Sequence, residues 1–312
     1  MIEAGRRQPR PWEATADRRR SPNRVAAYLD AHFFQLAAAP AFIMVAAVTL
    51  VPVLAAFGLS FTGYSATSPT LNFVGLSNYI SAILDPQVHT VAWNTVVFVG
   101  AAVIVETAFG LGLALLLRRA FRGIGFFRTI YLLPLMVASI ASATAWRALL
   151  NTSSGWVNYF IKLAHLPPPD WLASPVWAMP SVIIADMWTG APVTAILLLA
   201  GLLGVAVEPE EQARVDGANA WQVFRHITFP AIRPVFAFAV LFRVVDLFRQ
   251  FALFQIMTGG GPGLKTTVLN YYVYENTFQF GRMGYGSALA VLLVILMAIP
   301  LAGLFRFARS AA

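Results

Sequence analysis

The chain has 312 residues, 58% apolar and 12% charged, with a formal net charge of +8 and a mean hydropathy of +0.68. Soluble domains carry about 25% charged residues, so this composition points into a membrane. It excludes a nucleic-acid binder too, because Arg clusters between apolar segments and is not interleaved with aromatics. With no Cys, disulfides and thiol chemistry are out, and His32, His89, His165 and His226 have no metal-ligand spacing.

Residues 1–32 are polar and hold seven Arg with Pro9, Pro11 and Pro22, which reads as a disordered basic tail. No small-residue cleavage site follows the first apolar run, so that run reads as an anchor. Neither Asp, Glu, Lys nor Arg occurs between Asp30 and Asp85, or between Arg282 and Arg306. A helix needs roughly 20 apolar residues to cross the bilayer, and backbone in lipid must satisfy itself. Six helical spans are expected within 33–312: 36–60, 91–117, 129–149, 177–205, 234–257 and 285–305. Pro40, Pro52, Pro134 and Pro192 should start or bend them.

Arg crowds the tail, the 118–128 loop (Arg118, Arg119, Arg122, Arg128), the 206–233 loop (Arg214, Arg225, Arg233) and the C-terminus (Arg306, Arg309). The opposite loops hold Lys162, Lys265 and Arg282. Both termini are therefore expected in the cytoplasm.

Residues 208–230, EPEEQARVDGANAWQVFRHITFP, are too polar to cross. Pro209, Glu210 and Glu211 suit a helix N-terminus, and Gly217 can end that helix in a left-handed conformation. A second short helix is expected through Trp221, Phe224 and Ile227 to Pro230. The result is a helix–turn–helix knob on the cytoplasmic side, or else an ordinary interfacial loop.

Five charges fall inside spans: Glu106, Asp186, Arg243, Asp246 and Arg249. Such groups face a bundle interior or a cavity. Glu106 reads as structural. Arg243, Asp246 and Arg249 are spaced by three, so Asp246 can pair with either Arg, with Gln250 one turn away. The set reads as a self-neutralising contact or as a sugar path in which Asp, Gln and Arg hydrogen-bond beside Trp188. The phenylalanines Phe248, Phe251 and Phe254 rank lower, as packing.

Residues 259–267, GGGPGLKTT, miss the phosphate-loop pattern because Leu264 precedes Lys265. No catalytic triad or paired carboxylates occur within one segment, so no enzyme is expected.

Glu211, Ala213, Gly217, Ile227 and Pro230 fall at the spacing E-A-A-x3-G-x9-I-x-L-P, with Gln212 and Phe229 departing from it. FVGLSNY at Phe73–Tyr79, FRTIYLLP at Phe127–Pro134, MTGGGP at Met257–Pro262 and GYGSA at Gly284–Ala288 add to the match. The chain thus resembles the permease subunits of carbohydrate-uptake ABC importers of the maltose, trehalose and glycerol-phosphate type, on the MalF-like side of the pair. The resemblance implies an all-α, six-helix type I importer fold with a cytoplasmic coupling helix. It also implies a multi-pass inner-membrane location, a MalG-like second permease, two ATPase subunits that bind the ATP and Mg, and an external sugar-binding protein. The chain itself would bind no cofactor, metal or nucleic acid. Coupling to the ATPase would use Glu211, Ala213, Asp216, Gly217, Ile227 and Pro230. The solute path would fall near Ser139, on Asp186, Thr189 and Gly190, and on Asp246 and Gln250, with Trp188 and Arg249 beside it. The acidic residues favour a neutral di- or oligosaccharide such as trehalose or maltose. Glycerol phosphate or another non-sugar solute is the alternative. A secondary transporter or membrane enzyme is a third reading, but the chain shows no paired broken helices of the kind found in inverted-repeat transporters.

Overall fold

The computed structural model describes residues 32–119 and 122–310. The expected basic tail, but for its last residue His32, therefore lies outside the described residues. The chain divides into two compact units, Met1–Ala56 and Phe57–Ala312. All elements are helical among the described residues: α1 (Phe33–Leu59), α2 (Ser77–Leu84), α3 (Pro86–Arg118), α4 (Ile124–Leu132), α5 (Ser139–Leu149), α6 (Trp156–Leu163), α7 (Ala178–Leu203), α8 (Glu208–Val215), α9 (Ala220–Val223), α10 (Phe229–Phe248), α11 (Leu269–Tyr274) and α12 (Met283–Ser310).

Four helices are long and apolar enough to cross a membrane: α1, α3, α7 and α12. The expected span 129–149 is not one straight helix. Residues 124–136 and α5 meet at 98° and supply a fifth crossing only if they form one bent span. The bend falls at Val137 and Ala138, both extended, just after the 3-10 turn Leu133–Met136 that contains Pro134. The expected 234–257 span appears as α10, which runs from Phe229 to Phe248. Arg233, Arg243 and Asp246 lie on α10, so composition alone does not mark it as a crossing.

α3 starts cleanly. Asp85 accepts from the Gln87 amide at 2.8 Å, Pro86 occupies the first turn, and Arg118 sits in the last turn. In unit Phe57–Ala312 the core forms where α3, α7 and α10 pack. Phe98, Val99, Ala102, Val182, Ala185, Val240, Val244 and Leu247 are buried in one cluster. Small residues bring the helices close, as expected where lipid gives no hydrophobic drive between spans. A Cβ on Gly110 would lie 2.9 Å from Thr194 Cβ, and one on Gly201 would lie 2.9 Å from Val235 Cγ1.

The 259–267 loop is pinned to α3. Asn94 Nδ2 donates to the Leu264 and Thr267 carbonyls at 2.6 and 3.1 Å, and the Leu269 amide donates to Thr95 Oγ1 at 2.8 Å. Thr266 and Thr267 close the loop on the Gly261 and Gly260 carbonyls.

Candidate functional site

The knob forms as the sequence implies, then departs from it. α8 ends in a Schellman motif: Ala218 N donates to Ala213 O at 2.9 Å and Gly217 N to Arg214 O at 3.1 Å. This requires the left-handed φ of +88° at Gly217, a conformation that costs other residues about 1–2 kcal/mol. Asn219 and Gln222 then make a reciprocal capping box that starts α9.

No second short helix ends at Pro230. α9 runs through a π turn, Phe224–Thr228, directly into α10. Pro230 lacks the N–H that a regular helical turn would use there. The wider π turn just ahead of it, closed by Phe229 N on Phe224 O, lets the helix pass without a break.

The buried acid of the knob is Glu210, not Glu211. Glu210 is 4% exposed. Its Oε1 meets Arg118 Nη1 at 2.7 Å and accepts from Thr228 Oγ1 at 2.7 Å, while Arg214 Nη2 lies 3.6 Å from Oε2. Burial pushes this carboxyl up, but the Arg118 and Thr228 hydrogen bonds and the charges of Arg118 and Arg214 outweigh it. The result lies below the ordinary carboxylate value. Glu211 on α8 and Asp216 just past its end are exposed, while Ala213, Ile227 and Pro230 are half-buried.

In the bundle, Arg243 is a hub. Its Nε donates to Glu106 Oε2 at 2.6 Å, Nη2 to Asp186 Oδ2 at 2.7 Å and Nη1 to Asp246 Oδ2 at 2.5 Å. Glu106 and Asp186 are fully buried and Arg243 is 3% exposed. The planar guanidinium carries five N–H donors in a rigid fork, and here it shares them among three carboxylates. Gln250 Nε2 donates to the other oxygen of Asp186. Gly190 makes room: a Cβ there would overlap the Arg243 guanidinium and sit 2.8 Å from Glu106 Oε2.

The expected site residues therefore divide. Asp186, Gly190, Asp246 and Gln250 come together around Arg243. Asp186 lies beneath the surface, whereas the Asp246 side chain is 45% exposed and Gln250 is half-buried. Of the two arginines open to Asp246, the structure pairs Arg243. Arg249 is exposed and makes no side-chain ion pair among the described residues. Thr189 bonds its own helix at the Asp186 carbonyl, 3.1 Å. Trp188 is exposed, 6.5 Å from the Trp146 ring centroid. Ser139 is exposed at the start of α5, with no hydrogen bond to the cluster. Phe248 and Phe254 are buried and Phe251 packs on Tyr274 at 4.8 Å, so these rings are packing.

Residues 107–310 match the family model described as binding-protein-dependent transport system inner membrane component. The chain is 33% identical over 270 residues to the trehalose/maltose transport system permease protein MalF of Thermococcus litoralis, covering 86% of this chain and 91% of that one. It is 33% identical over 258 residues to the trehalose transport system permease protein SugA of Mycobacterium tuberculosis, covering 82% and 81%. It is 32% identical over 273 residues to the sulfoquinovosyl glycerol permease SmoG of Agrobacterium fabrum, covering 87% and 89%. A chain of a bacterial ABC transporter that imports alginate shares the fold, with a TM-score of 0.79 at 20% identity over 92% of this chain and 99% of that chain.

Proposed function

Because this chain belongs to the binding-protein-dependent transport system inner membrane components, we propose that it is the permease subunit of an ABC importer for a neutral di- or oligosaccharide. In this reading it pairs with a MalG-like permease and receives sugar from an external binding protein. Two ATPase subunits bind and hydrolyse the ATP, and this chain catalyses nothing. Both termini lie in the cytoplasm, as the Arg distribution favours. The exposed face of the knob, with Glu211 and Asp216, docks on an ATPase.

The observation that carries the reading is the unbroken helix from Ala220 to Phe248. It joins the knob to the Arg243 cluster, so a rigid-body movement of one reaches the other. The surface of the cluster also favours the solute class. Gln250 Nε2 and Asp246 Oδ2 are engaged, which leaves Gln250 Oε1 and Asp246 Oδ1 as free acceptors. Acceptors suit sugar hydroxyls, and Trp188 offers an apolar face. Three carboxylates share the Arg243 guanidinium, so the cluster itself carries an excess of negative charge that repels a phosphate, and Arg249 is the one nearby cation without an ion pair among the described residues. The relatives named for trehalose and maltose agree with this class.

Asp246→Ala or Gln250→Ala in the assembled complex should slow trehalose or maltose uptake about 10-fold, the effect of roughly 1–3 kcal/mol per lost hydrogen bond. Unchanged uptake in both variants would move the sugar path elsewhere. Glycerol phosphate taken up in preference to either sugar would reverse the solute assignment.

A further inference from the structure

The knob is fastened to the bundle by more than the chain. Glu210, on α8, meets Arg118 at the end of α3 and Thr228 in the turn that feeds α10, both at 2.7 Å on the same oxygen. Thr228 is 3% exposed and the Arg118 side chain 20%. The same two helices, α3 and α10, are tied again in mid-bundle by Glu106 and Arg243 at 2.6 Å. Along each helix the two ties lie about 20 Å apart at 1.5 Å per residue. One tie would leave α3 and α10 free to hinge about it, and a hinge would absorb motion of the knob. Two ties at different depths remove that freedom.

We propose that Glu210 is a positioning residue for energy coupling: it fastens the knob to α3 and α10 together, so that displacement of the knob moves both helices, and the cluster they carry, as one body. This rests on the importer reading above and adds a residue outside the E-A-A spacing.

The test is the number of solute molecules moved per ATP hydrolysed, in proteoliposomes holding the whole complex with its binding protein and maltose or trehalose. Glu210→Ala should lower this ratio about 10-fold. The charge swap Arg118→Glu with Glu210→Arg should bring it back to within about 3-fold of wild type. Glu208→Gln, at an exposed residue of the same helix, should leave it unchanged. A Glu210→Ala complex that transports at the wild-type ratio overturns the proposal, as does a swap that assembles yet stays as uncoupled as Glu210→Ala. If Glu210→Ala does not assemble, Thr228→Val removes one hydrogen bond to the same oxygen. It should lower the ratio a few-fold, and an unchanged ratio overturns the proposal equally. A wild-type complex that hydrolyses ATP but moves neither sugar would instead refute the solute class, leaving the ratio to be measured with another solute.

Discussion

Arg243→Ala tests the bundle at its most concentrated point. The arginine is 3% exposed and bonds three carboxylates, two of them fully buried. Removing one partner of a buried ion pair costs about 3–5 kcal/mol, because here the two buried carboxylates left behind, Glu106 and Asp186, are neither ion-paired nor hydrated. At roughly 2–4 °C per kcal/mol for a chain this size, the Tm should fall by about 10 °C. Glu106→Ala is milder, since Arg243 keeps Asp186 and Asp246, and should cost roughly 1–3 kcal/mol. The double variant should be less destabilised than the sum of the two, by about 1–3 kcal/mol, because the pair is broken only once. Thermal unfolding of the purified complex, at fixed protein and detergent concentration, measures all three. A Tm drop below about 2 °C for Arg243→Ala, or strict additivity, would show that the arginine does not hold the three helices together.

Gly217→Val should strain the left-handed turn by about 1–2 kcal/mol and reduce coupled uptake, and wild-type uptake would show the turn is not needed. Glu211→Lys, on the exposed face, should weaken ATPase docking, read as ATPase subunits lost on co-purification; full retention would move the docking face. The Glu210 carboxyl is held below its ordinary value, so its contribution is complete above the usual carboxylate range, near pH 4.5, and is lost only as pH falls further. Melting followed from pH 7 downward should show that loss in wild type and not in Glu210→Gln. Tags at Asn219 should react only from the cytoplasm, and tags at Pro168 and Gly263 only from outside; a cytoplasmic Pro168 would overturn the topology.

Four of the six expected spans, those of α1, α3, α7 and α12, were legible because charge is sparse over long stretches and a helix in lipid has no alternative. The bend at Val137 and Ala138 was not, since apolar side chains flank it on both sides and Pro134 alone does not fix an angle. The continuity of α9 with α10 was hidden by Pro230, a residue that normally marks a helix start. Asp186, Gly190, Asp246 and Gln250 were named together from resemblance. Arg243 was named with Asp246, but its bonds to Glu106 and Asp186 were missed because Glu106 and Arg243 lie 137 positions apart and nothing local pairs them. Glu210 lay next to a motif residue that drew attention to Glu211. The signal for it was present in the Glu210–Arg214 spacing of four and in an arginine at the end of an apolar helix.

The helix from Ala220 to Phe248 behaves as a lever. At 1.5 Å per residue it is about 43 Å long, and Arg243 lies about 33 Å from Trp221 at the tip. A tilt of about 10° around the Arg243 end would carry the tip about 6 Å sideways. Run in reverse, a push of a few ångströms on the tip becomes a small rotation at the cluster with high mechanical advantage. Because Glu106 holds Arg243 to α3, that rotation turns α3 and α10 together. In the proposed importer, such a lever trades distance at the knob for force at the cluster.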